Sequence, residues 1–170
     1  MIIIVEGMDN TGKTTLIEKL HKNLGFPIIK SLGNATQEAH VGWLIDLLHK
    51  HEENDHVLVD RCPLISEFVY GPLIRHRNVM WSIAQDWWDE LLKIGVIVIY
   101  CRPSRDTILG TLTEREQMEG VVSQGTKLLD TYDELMISIR NRLPLIVYNY
   151  VDDPQAQELS IDLYSYIKGR

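Results

Sequence analysis

Apolar residues along this chain follow two different patterns. Five short runs are apolar with no polar alternation, as expected of strands that helices bury on both faces. These runs cover residues 1–5, 27–29, 57–59, 96–100 and 145–148. Between the runs, apolar residues recur at the spacing of a helix with one buried face. The alternation of strands and helices predicts a parallel sheet.

Local start and stop signals place the helices. Gly25 ends a helix over Lys13–Leu24, Asn34 is a possible cap before Trp43, and Gly95 ends a helix that begins near Ala84. Later helices are predicted after Ser104, before Pro144 and after Asp153-Pro154. We therefore expect an α/β domain with a doubly wound parallel sheet of about five strands and a ligand crevice at the carboxyl ends of the strands. The polar stretch 113–126 is predicted to be a short lid within one domain over 1–170.

Composition and charge narrow the class of protein. The 170 residues suit one domain, and 17 Lys and Arg against 24 Asp and Glu give a net charge of −7. This charge disfavours a nucleic-acid partner, because no overall basic field is present. Two cysteines fit a reducing compartment, and the apolar runs are too short to span a bilayer. We expect a cytoplasmic protein with no membrane partner.

A glycine-rich segment after the first run carries the main chemical signal. Residues 7–14 read G-M-D-N-T-G-K-T, which fits the phosphate-binding pattern G-x-x-x-x-G-K-[ST] between a strand and a helix. Gly7 and Gly12 allow backbone N–H groups to turn inward, while Lys13 would bridge phosphates and Thr14 would bind Mg²⁺. ATP and Mg²⁺ are the expected cofactors. The predicted donor-binding residues are Gly7, Asn10, Thr11, Gly12, Lys13, Thr14, Thr15, Arg105 and Asp153.

A second candidate site follows the third strand, where Asp60 and Arg61 are adjacent. At the carboxyl end of a strand, Asp60 could hold Mg²⁺ through water and Arg61 could bind a phosphate with its fork. The alternative is that Asp60 caps the next helix beside a surface Arg61. The sequence has no N-K-x-D tetrapeptide, which counts against a GTPase.

These residues resemble a known family. The segment Glu6-Gly7-x-Asp9-x-x-Gly12-Lys13-Thr14-Thr15 is similar to the E-G-x-D-x-x-G-K-[ST]-T signature of thymidylate kinases, whose D-R pair matches Asp60-Arg61. Residues 60–71 also look like small phage-encoded nucleotide kinases. The resemblance implies that Asp9 accepts a hydrogen bond from the 3′-hydroxyl of the acceptor sugar and that Arg61 holds the acceptor phosphate.

The acceptor side departs from the family pattern. Thymidylate kinases have R-E-P-G-G-T after the second strand, whereas residues 30–36 here are K-S-L-G-N-A-T. The D-R pair is followed by Cys62-Pro63, and Ser66 comes one position later than in the family. A different deoxynucleotide or a deoxynucleoside therefore stays open as acceptor. The predicted acceptor-binding residues are Asp9, Arg61, Ser66, Phe68 and Tyr70, with core packing as the alternative for at least one of the two aromatic residues.

Arginines near the lid are candidates for neutralising charge during transfer. Arg115 lies where such kinases carry a lid arginine, and its alternative is an exposed pair with Glu119. Arg105 is a second candidate. Asp153 either borders the adenine or only caps a helix. Trp81 and its tryptophan neighbours are expected in the core or in a subunit interface, so a homodimer is possible.

The resulting hypothesis is a nucleoside monophosphate kinase that transfers the γ-phosphoryl of ATP to a deoxynucleotide such as dTMP. Its predicted catalytic residues are Lys13, Asp60, Arg61 and Arg115, with Thr14 and Asp60 at the metal. A deoxynucleoside kinase is the closest alternative and would need Glu6, Asp9 or Asp60 as a base. A 5′-polynucleotide kinase and an ATP-binding regulatory protein without transfer activity are the remaining alternatives.

Overall fold

A computed structural model describes residues 1–53, 55–114 and 116–151, and the described strands form one parallel sheet. The strands are β1 (Ile2–Glu6), β2 (Ile28–Lys30), β3 (Val57–Asp60), β4 (Ile97–Cys101) and β5 (Leu145–Tyr148). Their order in the sheet is β2-β3-β1-β4-β5, and every pair is parallel. This architecture confirms the predicted α/β fold with a five-stranded, doubly wound sheet.

Helices flank the sheet on both faces. The described helices are α1 (Lys13–Leu24), α2 (Gln37–Glu52), α3 (Pro63–Ile74), α4 (Ala84–Lys93), α5 (Arg105–Thr111) and α6 (Gly125–Arg140). Residues of β1 and β4 are buried throughout, and alternate β1 residues belong to two apolar clusters on opposite faces of the sheet. The uninterrupted apolar runs of the sequence are therefore explained by burial on both faces.

Two helix boundaries test the capping signals. Ser104 is the N-cap of α5, where its side chain accepts from the backbone N–H of Thr107 at 3.2 Å, as predicted. The N-cap of α2 is Thr36 and not Asn34, because the Thr36 hydroxyl accepts from the N–H of Ala39 at 3.3 Å. The helix predicted after Asp153 lies outside the described residues.

Helix α3 was not anticipated from apolar spacing. Eight of its twelve residues are buried, and they lie on all sides of the helix. A helix that is apolar all round lacks the 3.6-residue alternation that reveals an amphipathic helix. No helix in the described part of the chain is long and apolar enough to cross a membrane.

The sheet brings the two sequence signals together. Strands β1 and β3 are neighbours, with Val5 opposite Asp60. The glycine-rich loop after β1 and the Asp60-Arg61 pair at the end of β3 therefore lie at the same edge of the sheet, where ligands bind in open α/β folds.

Candidate functional site

The loop between β1 and α1 has the backbone of an anion-binding nest. Gly7, Asn10 and Gly12 have φ angles of +144°, +60° and +82°. A Cβ atom on Gly7 would lie 2.6 Å from the carbonyl oxygen of Cys101, so this position requires glycine. Gly12 is the N-cap of α1 and makes no side-chain cap, so the N–H groups of the first helical turn stay available to an anion.

Lys13 is buried beneath this loop. Its ammonium group donates a hydrogen bond to the carbonyl oxygen of Met8. Burial, followed by the charge of Arg61, lowers the pKa of Lys13 to about 8. A bound phosphate would oppose both effects, because an adjacent negative charge favours the ammonium form.

A cavity of about 600 Å³ opens above the loop, and we call it the donor cavity. Its walls include loop and helix residues 9–15, Lys19, Asp60, Arg61, Thr111, Glu114, Tyr148 and Tyr150. The structure thus brings together six of the predicted donor-binding residues, Asn10, Thr11, Gly12, Lys13, Thr14 and Thr15. Gly7 shapes the turn beneath them.

Sequence reasoning missed five wall residues: Lys19, Thr111, Glu114, Tyr148 and Tyr150. Asn10 donates through Nδ2 to the carbonyl oxygen of Thr111 at 2.6 Å, which ties the loop to the end of α5. The ring of Tyr150 lies against Gly12, 2.8 Å from where a Cβ atom would stand. These contacts join segments that are far apart in the sequence, so no local sequence pattern predicts them.

Arg61 is held in a fixed orientation at the end of β3. Its φ of +68° is unusual for a residue with a side chain. Nη2 donates to Oδ1 of Asp9 at 2.6 Å, and Nη1 donates to the hydroxyl of Tyr132 at 3.2 Å. Tyr70 donates to the other Asp9 oxygen at 3.0 Å. Asp9 and Arg61, two of the residues expected to contact the acceptor, are therefore an ion pair.

Glu6 anchors this network from below. Its carboxylate accepts from the backbone N–H groups of Cys62, at 2.6 Å, and of Gly7, at 3.2 Å, and from the Tyr132 hydroxyl at 3.2 Å. Burial raises the pKa of Glu6, and the charge of Arg61 opposes this effect. Because Glu6 is fully buried and lines neither cavity of the site, we assign it to support of Arg61 and not to proton transfer.

A second cavity of about 440 Å³ is also lined by Arg61, and we call it the acceptor cavity. Its walls are Asp9, Lys30, Ser31, Gly33, Asn34, Asp60, Arg61, Ser66, Tyr70, Arg75, Glu116, Gln117 and Met118. Asp9, Asp60 and Arg61 belong to both cavities. Two ligands bound in the two cavities would therefore meet at these three side chains.

Only some of the remaining predicted residues line the two cavities. Ser66 and Tyr70 line the acceptor cavity, whereas Phe68 lines neither cavity and stacks on Trp81 with ring centroids 5.4 Å apart. Arg105 does not line the donor cavity and pairs with Asp130 at 2.7 Å. Arg115 and Asp153 lie outside the described residues. Phe68 and Arg105 are consequently not part of the site proposed below.

Oxygen donors for a divalent cation are present in the donor cavity. Thr14 is exposed at the start of α1, and Asp60 lines the same cavity. A hydroxyl and a carboxylate suit Mg²⁺, which binds proteins through few direct oxygen ligands and retains several waters. The residues present therefore fit the predicted magnesium site.

Comparison with known proteins supports a kinase-like fold. No family model matches the chain. The chain is 27% identical over 137 residues to the SPbeta prophage-derived protein YorR of Bacillus subtilis (strain 168), covering 79% of this chain and 81% of YorR. The crystal structure of YorR, in complex with phosphorylated GDP, aligns with a TM-score of 0.77 at 20% identity, over 99% of this chain and 96% of YorR.

A deoxyadenosine kinase from M. mycoides, with dCMP and dCDP bound, aligns with a TM-score of 0.64 at 19% identity, over 98% of this chain and all of that one. The chain has a P-loop kinase-like fold. These similarities do not single out thymidylate kinases, so the thymidylate part of the resemblance stays a prediction.

Proposed function

We propose that this protein is a phosphotransferase that moves the γ-phosphoryl group of ATP onto a nucleoside monophosphate, with deoxynucleotides such as dTMP as the first acceptors to test. The observation that carries this proposal is the meeting of the donor and acceptor cavities at Asp9, Asp60 and Arg61. Phosphoryl transfer needs a donor and an acceptor aligned on either side of one point.

The charges at the junction suit an acceptor that brings its own phosphate. The oxygen of a monophosphate is already anionic at neutral pH, so no general base is needed. Arg61 would hold that phosphate and Lys13 would hold the donor phosphates. Thr14 and Asp60 would hold Mg²⁺, which neutralises charge on the β- and γ-phosphates when bound. The site therefore acts by alignment and by charge neutralisation.

A deoxynucleoside kinase is the second candidate, and two observations favour it. The charge of Arg61 is already balanced by Asp9 at 2.6 Å, and Asp60 lines both cavities as a carboxylate that could accept a hydroxyl proton. Proteins of similar fold also include deoxyadenosine kinases. In this case the acceptor cavity would receive a nucleoside hydroxyl at the junction.

The deciding experiment is an acceptor panel with identified products. Purified protein is incubated with Mg·ATP and, separately, with deoxynucleosides, ribo- and deoxynucleoside monophosphates and a 5′-hydroxyl oligonucleotide. We expect a diphosphate product from a deoxynucleoside monophosphate. A clear preference for nucleosides would favour the second candidate, and phosphorylation of the oligonucleotide alone would contradict both.

The Arg61→Lys variant separates the candidates further. Lysine keeps the charge but loses the two-pronged contact, so kcat/KM for a monophosphate should fall on the order of 10-fold or more. The KM for ATP should change much less. Full nucleotide activity in this variant would contradict the role proposed for Arg61.

A further inference from the structure

A cluster of charged residues lies behind one wall of the acceptor cavity, and we call it the Glu67 cluster. It consists of Glu67 on α3, Arg75 and Arg77 after α3, and His40 on α2. Glu67 is 1% exposed and accepts hydrogen bonds from Nη1 of Arg75 and, at 3.4 Å, from Nη2 of Arg77. One buried carboxylate thus holds two guanidinium groups in place.

Arg75 is the member of the cluster that reaches the acceptor cavity. Its side chain is 11% exposed, its Nε is buried with no hydrogen-bond partner, and within the described chain no partner is found for its Nη2. Buried donors of a charged group are costly to leave unpaired. A ligand in the cavity that offers a hydrogen-bond acceptor would pair the Nη2 group.

The location of Arg75 indicates which part of an acceptor it would meet. Arg61 lines both cavities, whereas Arg75 lines only the acceptor cavity. The two guanidinium groups lie 5.2 Å and 5.9 Å from the ring centroid of Tyr70, so the tyrosine contacts both. The reacting phosphate must lie at the junction beside Arg61. Arg75, which does not line the donor cavity, is then left for the nucleoside.

The donors that Arg75 has left suit a neutral partner that carries hydrogen-bond acceptors. Its Nη1 is already bound to the Glu67 carboxylate, so part of its charge is balanced inside the protein. A guanidinium has donors only, and the Nη2 donors left on Arg75 can bind an acceptor oxygen of a base, as arginine binds O6 of guanine. An exocyclic amino group at the same place would set donor against donor.

We propose that Arg75 reads the acceptor base, and that it selects bases with a carbonyl oxygen at this edge, guanine or thymine, over the amino bases adenine and cytosine. Glu67 is the positioning residue that orients the guanidinium. This inference rests on the proposed function, because it assumes that the acceptor cavity holds a nucleoside or its monophosphate.

Direct binding tests the inference without relying on catalysis. Affinities of dGMP, dIMP, dAMP and 2-aminopurine deoxyribonucleoside monophosphate, and of dTMP and dCMP, are measured by calorimetry on the wild-type protein. We expect dGMP and dIMP, which keep O6, to bind on the order of 10-fold or more tightly than the two purines that lack it. We expect dTMP to bind more tightly than dCMP by a similar factor. Equal affinities, or a preference for amino bases, would overturn the proposal.

Two variants assign the preference to Arg75. Arg75→Lys keeps a cation beside Glu67 but loses the guanidinium group. It should reduce the affinity ratio between bases with and without the carbonyl oxygen to a few-fold. Arg77→Lys is the matched control, because Arg77 binds the same carboxylate but does not line the cavity, and it should keep the wild-type order. Equal loss for all monophosphates in Arg75→Lys, with their order unchanged, would show a phosphate contact and contradict base reading.

The outcomes for the two proposals are separable. If the base preference appears in binding but no acceptor is phosphorylated, the proposed function fails and the reading of the base stands. If phosphorylation occurs with no base preference in either measurement, the role of Arg75 fails and the proposed function stands.

Discussion

At the residue scale, the orientation of Arg61 is determined by residues far away in sequence. Tyr132 lies on α6, yet its hydroxyl accepts from Arg61 and donates to Glu6 on β1. Burial raises the pKa of the Tyr132 phenol, so it stays protonated and can perform both roles. Its ring is fully buried and stacks on Tyr100 at 6.0 Å. This tyrosine therefore connects the interior of the sheet to the junction of the two cavities.

Replacing Tyr132 by phenylalanine should impair the acceptor side of the reaction. The ring packing is kept, but Arg61 loses one partner and Glu6 loses one donor. We expect kcat/KM for the acceptor to fall by about 10-fold, with the free energy of unfolding lowered by about 1–3 kcal/mol. The KM for ATP should stay near its wild-type value. Steady-state kinetics with each substrate varied, together with urea unfolding, measures both effects.

Tyr100→Phe is the matched control for this prediction. Tyr100 lies in the same aromatic stack, and its hydroxyl donates to Asp133 at 2.8 Å, away from Arg61. This variant should lose some stability but retain acceptor kinetics. If both variants affected the acceptor equally, a general loosening of the stack would explain the result better than positioning of Arg61.

At the element scale, the sequence predicts what is local and misses what depends on packing. The strands are predicted correctly because each is a short contiguous pattern. The glycine-rich loop and the Asp60-Arg61 pair lie at the strand ends where the sequence places them, and their roles stay predictions. Helix α3 is missed because it is apolar all round. Because the sequence does not predict this helix, Phe68 and Tyr70 are both assigned to the acceptor. Side chains two positions apart on a helix point about 200° apart, so the two cannot face the same cavity. Tyr70 faces the acceptor cavity, so Phe68 faces outward.

The contacts of Tyr132 and Arg75 could not be read from the sequence in the same way. Tyr132 meets Glu6 across 126 positions, and a buried tyrosine on α6 shows only the ordinary spacing of a core residue. Arg75 follows the end of α3 and turns back to Glu67 eight positions earlier. Recognising that contact requires knowing that α3 is a helix and where it ends.

The turn after α3 depends on Gly71, which gives a prediction at this scale. The backbone N–H groups of Arg75 and Arg77 donate to the Gly71 carbonyl, and a Cβ atom on Gly71 would lie 2.7 Å from the carbonyl oxygen of Arg77. Gly71→Ala should therefore displace this turn and lower the free energy of unfolding by about 1–3 kcal/mol. It should also weaken acceptor binding through Arg75.

Gly42→Ala is the control for the glycine substitution. Gly42 lies within α2, and a Cβ atom there would meet nothing within 4 Å. Alanine at this position should raise the free energy of unfolding by about 0.5–1 kcal/mol, since it lowers the entropy of the unfolded chain. Denaturant unfolding of both variants measures the contrast. A stabilised Gly71→Ala protein would show that the turn moves at no cost.

At the scale of the whole molecule, one segment borders both cavities. Glu114 lines the donor cavity, while Glu116, Gln117 and Met118 line the acceptor cavity. Val121, a few residues later, is fully buried and fixes the following part of this segment to the core. The predicted lid thus lies beside both proposed ligands, and its movement remains a prediction. Its acidic side chains also add to the net charge of −7 that disfavours a polynucleotide acceptor.

The Glu67 cluster links the stability of the whole molecule to pH. His40 is fully buried, and its Nε2 lies 3.7 Å from Glu67. Neither ring nitrogen has a hydrogen-bond partner among the residues that the structure describes. Burial, and then the charges of Arg77 and Arg75, lower the pKa of His40 in the folded protein. The neutral ring is therefore favoured by folding, whereas the unfolded chain takes up the proton near its ordinary pKa of about 6.5.

It follows that the free energy of unfolding should decrease as the pH falls below about 6.5, because the unfolded state then binds more protons than the folded state. The decrease should end once the pH passes below the lowered pKa of the folded state. Urea unfolding at a series of pH values from 7.5 to 5.5 measures this slope. His40→Phe, which fills a similar volume without a titrating ring, should make the slope shallower.

His49→Phe, on the exposed side of the same helix, is the control and should keep the wild-type slope. An unchanged slope in His40→Phe would mean that the proton is taken up elsewhere, because only removal of the responsible group can flatten the dependence.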